Sequence, residues 1–247
     1  MSYNRTKCPL AFTMVELLVV VAIIMVLLSI LLPSFKVARR AAISSICQSN
    51  LAQQATTAII YGHDFGGDLP PQQKWNNILK PNHFSRYFRY HSAWRNLGFA
   101  WESGHLVDAR ILYCPGQRFE GFMLKTYSDP SFPSNARPGG TYHLPTPAIR
   151  FSYNFNPQAT SEKNRERMFT DVGSLTARGV FGVDVIEYVE AISHPGPSWN
   201  VVRGDSSVGN AVAAEVEQVI RQDPIGMRNH RYAKFDELLR ILLDRSR

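Results

Sequence analysis

From Phe12 to Leu32 the chain reads FTMVELLVVVAIIMVLLSILL, an apolar run broken by one acid, Glu16. No charge occurs from Leu17 to Leu32. At about 1.5 Å per residue the segment makes about 30 Å of helix, enough to cross a bilayer core. The pattern then changes. Phe35, Ala38, Ala42, Ile46, Leu51, Ala55 and Ile59 recur every three to five residues, which predicts an amphipathic helix. The two halves read as one helix of about 50 residues, from Phe12 to Tyr61, kinked at Pro33 because proline has no N–H to donate. Gly62, Gly66-Gly67 and Pro70-Pro71 end it.

Beyond this helix the signals are short. Residues 72–108 are polar and aromatic, with RYFRYHSAWRNLGFAW from Arg86 to Trp101, and read as an irregular or short-helical insertion whose aromatics pack inward while its arginines face water. Strand-like runs at 110–114, 149–155, 179–185 and 199–202 are separated by turn residues, with no regular helices between them. That order predicts an antiparallel sheet and not a βαβ arrangement. Residues 116–147 carry many Pro, Gly and Ser and read as a long loop. Two amphipathic segments follow, Ala211 to Arg221 and Lys234 to Asp244, and in the second Phe235, Leu238, Leu239 and Leu242 share a face. The expected class is therefore α+β: a long kinked N-terminal helix, transmembrane in its first half, packed on a small antiparallel β-sheet domain.

A cleaved secretory leader does not explain the N-terminus. Its apolar core would be about 7–15 residues long and followed by small residues, whereas this run is longer and ends in Pro33-Ser34-Phe35-Lys36. The small residue, Ala11, stands at the front, behind a leader carrying Arg5 and Lys7. A basic leader, a small residue, Phe12, Glu16 and a long apolar helix resemble the N-terminal signal of type IV prepilins and type II secretion pseudopilins. The resemblance implies that a prepilin peptidase cuts between Ala11 and Phe12 on the cytoplasmic side and methylates the new amine. Glu16 is then fifth after the cut and Pro33 twenty-second, both positions where the family carries those residues. Ala11 departs from the family's usual Gly.

This frame implies a division into a leader (1–11), a transmembrane and assembly helix (12–32), its amphipathic continuation (33–62) and a globular domain (63–247) with an insertion around 72–109. Phe12, Glu16 and Pro33 become the assembly residues. A carboxylate at mid-membrane depth costs roughly 2.5–3.5 kcal/mol. Paired with a neighbouring subunit's Phe12 amine, Glu16 would be neutralised, and only one axial stagger would bring the charges together. The implied partners are prepilin peptidase, other pilin-like subunits, an inner-membrane assembly platform and the lipid bilayer. The implied location is the bacterial inner membrane, single-pass, N-terminus cytoplasmic and domain periplasmic or extracellular. Lys36, Arg39 and Arg40 beyond the span balance Arg5 and Lys7 before it, so loop charge alone does not orient the helix.

A branch of pilin-like proteins is similar over more of the chain. Its marks are a helix cysteine before Asn-Leu (Cys47-Gln-Ser-Asn50-Leu51), Asp-x-x-Gly-x-Leu-Pro-Pro (Asp64 to Pro71), Tyr-Cys-Pro (Tyr113 to Pro115), and late His, Asn-Val and Asp-Gly-x-Val. The last three are met by His194, Asn200-Val201 and Asp205-Ser206-Ser207-Val208. Ser206 stands where the branch has Gly, and serine does not readily take the positive φ of such a turn.

Charge and cysteine count add two constraints. Loss of Arg5 and Lys7 with the leader takes 27 basic residues to 25 against 20 acidic, and the charge from +7 to +5, a mild excess. The same cut removes Cys8 and leaves Cys47 and Cys114, a disulfide candidate in an exported domain; two buried free thiols are the alternative. Closing their 67-residue separation is worth about 4 kcal/mol in the chain-entropy account.

Catalytic motifs are absent from the sequence. His194, Asp205 and His230 sit in no Gly-x-Ser-x-Gly, His-Glu-x-x-His or phosphate-cradling context. His194 reads as a residue that caps a loop or meets an acid. Asp64 and Asp68, four apart in a turn, read as solvated rather than as calcium ligands. No cofactor, metal or enzymatic activity is expected. The leading expectation is a structural pilin-like subunit. The alternative is a minor pilin-like module that captures DNA, polysaccharide or secreted cargo through the basic-aromatic stretch, since Arg and aromatics can stack on bases or sugars.

Overall fold

A computed structural model describes residues 13–71, 87–90, 93–124, 148–155, 171–175, 179–184, 186, 192–194, 198–222, 237–239, 241–242 and 245. The architecture is α+β: one long apolar N-terminal helix and small antiparallel sheets. The chain divides into two compact units, Met1–Ala42 and Ile43–Arg247.

Helix α1 spans Met14–Asp64. Thr13 starts it with a capping box: its N–H and Oγ1 donate to Glu16 Oε2 at 2.9 and 2.8 Å, and Glu16 N–H returns a bond to Thr13 Oγ1 at 3.2 Å. The helix continues through Pro33, which cannot donate to the Ser29 carbonyl. Hydroxyls bond the neighbouring carbonyls, Ser29 Oγ to Val26 and Ser34 Oγ to Ile30. At the far end the helix runs past Gly62, the expected stop, to Asp64. Gly62 serves close approach instead, since a Cβ there would lie 2.5 Å from Val172 Cγ2. Termination falls to Gly66 and Gly67, at φ 68° and 100°, with Gly67 N–H donating to the Gly62 carbonyl at 2.7 Å.

In the second unit the buried face of α1 carries Cys47, Asn50, Leu51, Gln54, Ala55, Ala58, Tyr61 and Gly62. It is rotated from the expected stripe, and Ile46 is left exposed. Two polar residues cause the rotation. Asn50 Nδ2 donates to the Tyr113 carbonyl and to Tyr153 Oη, both at 3.2 Å, and Gln54 Nε2 donates to the Ile111 carbonyl at 2.7 Å. These bonds satisfy their amide nitrogens in the core, while Gln54 Oε1 is buried without a partner among the described residues.

Strands β1 (Tyr87–Tyr90), β2 (Ala93–Trp94) and β3 (Ala148–Arg150) form one antiparallel sheet in the order β2-β1-β3. Strands β4 (Tyr153–Phe155), β5 (Val180–Asp184), β6 (Ser198–Arg203) and β7 (Val208–Val212) form a second, in the order β4-β5-β6-β7. Helix α2 (Leu97–Glu102) follows β2, and α3 (Ala214–Gln222) follows β7. The expected strand at 110–114 is a 3-10 turn, Ala109–Leu112, because the Asp108 side chain caps it by accepting from Arg110 N–H at 2.9 Å. The expected strand 149–155 is two strands in different sheets. Ser152 divides them: its N–H donates to the Leu112 carbonyl at 2.9 Å and its Oγ to the Phe122 carbonyl at 2.6 Å. Ala211 and Val212, expected in a helix, close β7.

Two apolar clusters flank the four-stranded sheet. Phe181, Val202, Tyr153 and Phe155 join Leu51, Ala55 and Ala58 of α1. Val183, Val201, Trp199 and Ala211 join Val216 and Ile220 of α3 with Leu238, Leu239 and Leu242. Burial on both faces makes β5 apolar almost throughout and obscures its alternation in the sequence. In the described part of the 72–109 stretch Phe88 packs inward as expected, with Leu97 and Ala100 in the same cluster as α1. The stretch nevertheless forms strands β1 and β2 where an irregular or short-helical insertion is expected. Arg95, expected in water, is only 4% exposed and donates through Nη1 to the Trp94 carbonyl at 2.9 Å. Within the expected 116–147 loop, residues 125–147 lie outside the described set.

Candidate functional site

The first feature that implies a partner is α1 itself. From Met14 to Leu32 every residue is exposed, and the segment is long and apolar enough to cross a membrane. A continuous apolar surface of that size is stable in water only when something covers it, either lipid or other apolar helices. Glu16 is the only charge within it, and its carboxylate is already engaged by Thr13. Of the residues expected to act in processing and assembly, Ala11 and Phe12 lie outside the described residues. Glu16 sits in the capping box and Pro33 within the helix.

The second feature is a buried polar node where α1 meets the four-stranded sheet. Cys47 on α1 and Cys114, just past the 3-10 turn, form a disulfide, with Cα atoms 5.6 Å apart. His194 lies against it, Nε2 3.6 Å from Cys114 Sγ. The same nitrogen is 3.0 Å from Asn200 Nδ2 and 3.6 Å from Asp184 Oδ2. Asp184 is 1% exposed, and its Oδ2 also accepts from Asn200 N–H at 2.7 Å. Asn200 Oδ1 accepts from Ser44 Oγ at 2.8 Å, Gln48 Nε2 at 3.1 Å and Asn210 Nδ2 at 3.2 Å. Three donors on the oxygen fix the amide orientation, so the Asn200 nitrogen faces the imidazole as a donor. Tyr153, also in this core, has its phenol pKa pushed well up, chiefly by burial and then by the Asp184 charge.

The acid beside His194 is Asp184, 3.6 Å from Nε2 and beyond hydrogen-bond distance, and not Asp205. Asp205 accepts from Ser207 N–H at 3.0 Å in the β6–β7 turn, and His230 lies outside the described residues. Asn200 belongs to the Asn-Val mark of the resemblance, which assigns it no contact with His194, and Asp184 carries no motif in the sequence. For Asp184 the hint is the apolar run around it, where a carboxylate is buried and needs partners. In that turn Ser206 takes φ 63°, the left-handed conformation expected of glycine.

A third cluster lies at the end of α1. His105 Nε2 is 2.8 Å from Asp64 Oδ2, and Nδ1 is 2.8 Å from Ser103 Oγ. The order of serine, histidine and acid is that of a hydrolase. Here, however, Ser103 Oγ donates to the Phe99 carbonyl at 2.9 Å as the C-cap of α2, so its proton is directed away from the ring. Asp64 is thereby held by His105, and the group clips the end of α1 to the following loop. In the basic-aromatic stretch, Phe88 is buried edge-on to Trp94 at 5.4 Å, and Arg89 lies 5.2 Å over the Trp94 ring.

Searches against protein-family models, curated proteins and solved structures give no match for this chain.

Proposed function

We propose that the chain is a structural pilin-like subunit, a pseudopilin, which a prepilin peptidase processes between Ala11 and Phe12. It then polymerises through its N-terminal helix in a type II secretion or type IV pilus-like machine. The observation that carries this reading is the continuity of α1. Its first half is apolar and exposed, while its second half supplies core residues of a globular unit. A helix built this way delivers a folded domain to the surface of whatever its apolar half assembles into. The Cys47–Cys114 disulfide supports an oxidising compartment for the domain, and in this reading the N-terminus stays on the cytoplasmic side. The clusters at His194 and His105 serve the fold in this reading, and no catalytic step is assigned to them. Capture of nucleic acid is disfavoured because Phe88 is buried and one face of Trp94 is covered by Arg89.

Intact-mass measurement on the protein purified from membranes tests the proposal. Loss of eleven residues and gain of one methyl is expected. A terminus at Met1 or Ser2 would overturn it.

A further inference from the structure

Three soft or borderline donors converge beside α1. Cys47 Sγ, Cys114 Sγ and His194 Nε2 all lie within 4.8 Å of one another, and all three residues are buried. A fourth donor, Asp184 Oδ2, is 3.6 Å from Nε2. The other oxygen of that carboxylate, Oδ1, is buried and has no hydrogen-bond partner among the described residues. The oxygen that faces Nε2 already accepts from Asn200 N–H, so the carboxylate keeps accepting capacity to spare at Oδ1.

The sulfur–nitrogen distance is that of one kind of site, and the nitrogen–oxygen distance is a few tenths of an ångström longer. With Zn–S of about 2.3 Å and Zn–N of about 2.0–2.1 Å, the sulfur–nitrogen edge of a tetrahedral zinc site is about 3.6 Å, and its nitrogen–oxygen edge about 3.3 Å. The observed Cys114 Sγ–His194 Nε2 and His194 Nε2–Asp184 Oδ2 separations are both 3.6 Å. The tautomer fits as well. Because the Asn200 amide nitrogen donates to Nε2, that nitrogen offers a lone pair, the form in which imidazole binds a metal. A metal would replace this one hydrogen bond, and Asn200 Oδ1 would keep its three donors.

We propose that opening the Cys47–Cys114 disulfide converts this pocket into a zinc(II) site, with Cys47, Cys114 and His194 as ligands and Asp184 as the neighbouring negative charge. A dithiol reductant supplies two electrons and two protons. The sulfur–sulfur bond breaks, two thiols form, and the reductant closes its own disulfide. Zinc then displaces the two thiol protons to solvent as the thiolates bind it. The sulfurs must separate to about 3.8 Å, the sulfur–sulfur edge of the same tetrahedron. Disulfide and metal therefore exclude each other, and the pocket holds one or the other according to the redox state of its surroundings. The inference does not depend on filament assembly.

Cobalt(II) is the probe, used on the full chain in detergent with Cys8→Ser so that Cys47 and Cys114 are the only thiols. The reduced chain, freed of reductant under nitrogen, should take up one cobalt. It should show thiolate-to-cobalt charge transfer and the intense red d–d bands of a tetrahedral site, bleached by one equivalent of zinc. The disulfide form should show neither. His194→Ala should weaken cobalt binding by at least about tenfold. Absence of charge transfer in a reduced chain that keeps its circular dichroism would overturn the proposal. So would identical titrations of the His194→Ala variant and its parent. If the chain unfolds on reduction, recovery of its circular dichroism with one equivalent of zinc supports the site, and failure to recover counts against it.

Discussion

Asn200 Oδ1 accepts a 2.8 Å hydrogen bond from Ser44 Oγ, which joins β6 to α1 across 156 positions of sequence. Gln48 and Asn210 donate to the same oxygen, and the Asn200 amide nitrogen faces His194. One fully buried side chain therefore satisfies groups from α1, β7 and the histidine loop at once. Asn200→Ala leaves those groups with one partner fewer, His194 in the buried core and Ser44, Gln48 and Asn210 at its part-buried edge. A buried group left unsatisfied costs about 1–3 kcal/mol, and part-buried ones regain water, so a loss of about 2 kcal/mol in denaturant unfolding is expected. Asn210→Ala, at an exposed position, should cost well under a third of that. Equal losses from the two substitutions would show that Asn200 does not organise the node.

The Tyr153 phenol is held neutral, with its pKa raised well above the usual tyrosine value by burial first and by Asp184 second. Unfolded tyrosine ionises at about pH 10. Above that pH the unfolded chain loses a proton that the folded chain keeps. Stability is therefore complete below about pH 10 and falls as pH rises, by up to about 1.4 kcal/mol per pH unit for one such group. Tyr61 contributes in the same direction, its pKa raised by burial, then Asp68 and Glu102. Tyr153→Phe should reduce the alkaline slope without abolishing it. Asn50 Nδ2 retains the Tyr113 carbonyl, so the loss at neutral pH should be about 1 kcal/mol. An unchanged slope in chemical denaturation at several alkaline pH values would refute this.

Ser206 occupies the left-handed region at φ 63° in the turn between β6 and β7. An L-residue there carries roughly 1–2 kcal/mol of strain, which glycine avoids, although glycine adds backbone entropy to the unfolded chain. The balance favours Ser206→Gly by about 0.5 kcal/mol. A thermal midpoint below that of the wild type would show that the serine hydroxyl does more for the turn than the backbone argument allows.

How much of this was legible in the sequence follows from the range of the interactions involved. α1 was legible because its two periodicities are local, and the disulfide because the cysteines left after the proposed cut form a single pair. Ile46 misled because apolar spacing cannot show that Asn50 and Gln54 would find carbonyl partners at Tyr113 and Ile111, some sixty residues on. The run 110–114 has strand-forming residues, but the Asp108 cap made it a 3-10 turn. Asp184 and Asn200 could not be placed together because their contact is set by the pairing of β5 with β6. That pairing is a tertiary fact with no sequence motif. His194 was singled out by its chemistry, whereas its neighbours were settled by topology.

Glu16 has two jobs that one variant can separate. Locally, its Oε2 accepts both donors of Thr13 and so begins α1. In the proposed filament its charge would also meet a neighbouring subunit's Phe12 amine and set the axial stagger. Glu16→Ala removes cap and charge together. Its loss of filament yield would not show which one mattered, although membrane insertion should become easier. Glutamine at this position can complete a capping box without a charge. If charge pairing sets the stagger, Glu16→Gln should fail to assemble as fully as Glu16→Ala, at matched membrane levels. If the cap alone matters, Glu16→Gln should assemble like wild type. Neither change should move the unfolding midpoint of the domain, whose core begins at Cys47 on this helix. Normal filament yield from Glu16→Gln would eliminate the charge-pairing account and leave Glu16 as the residue that starts the helix.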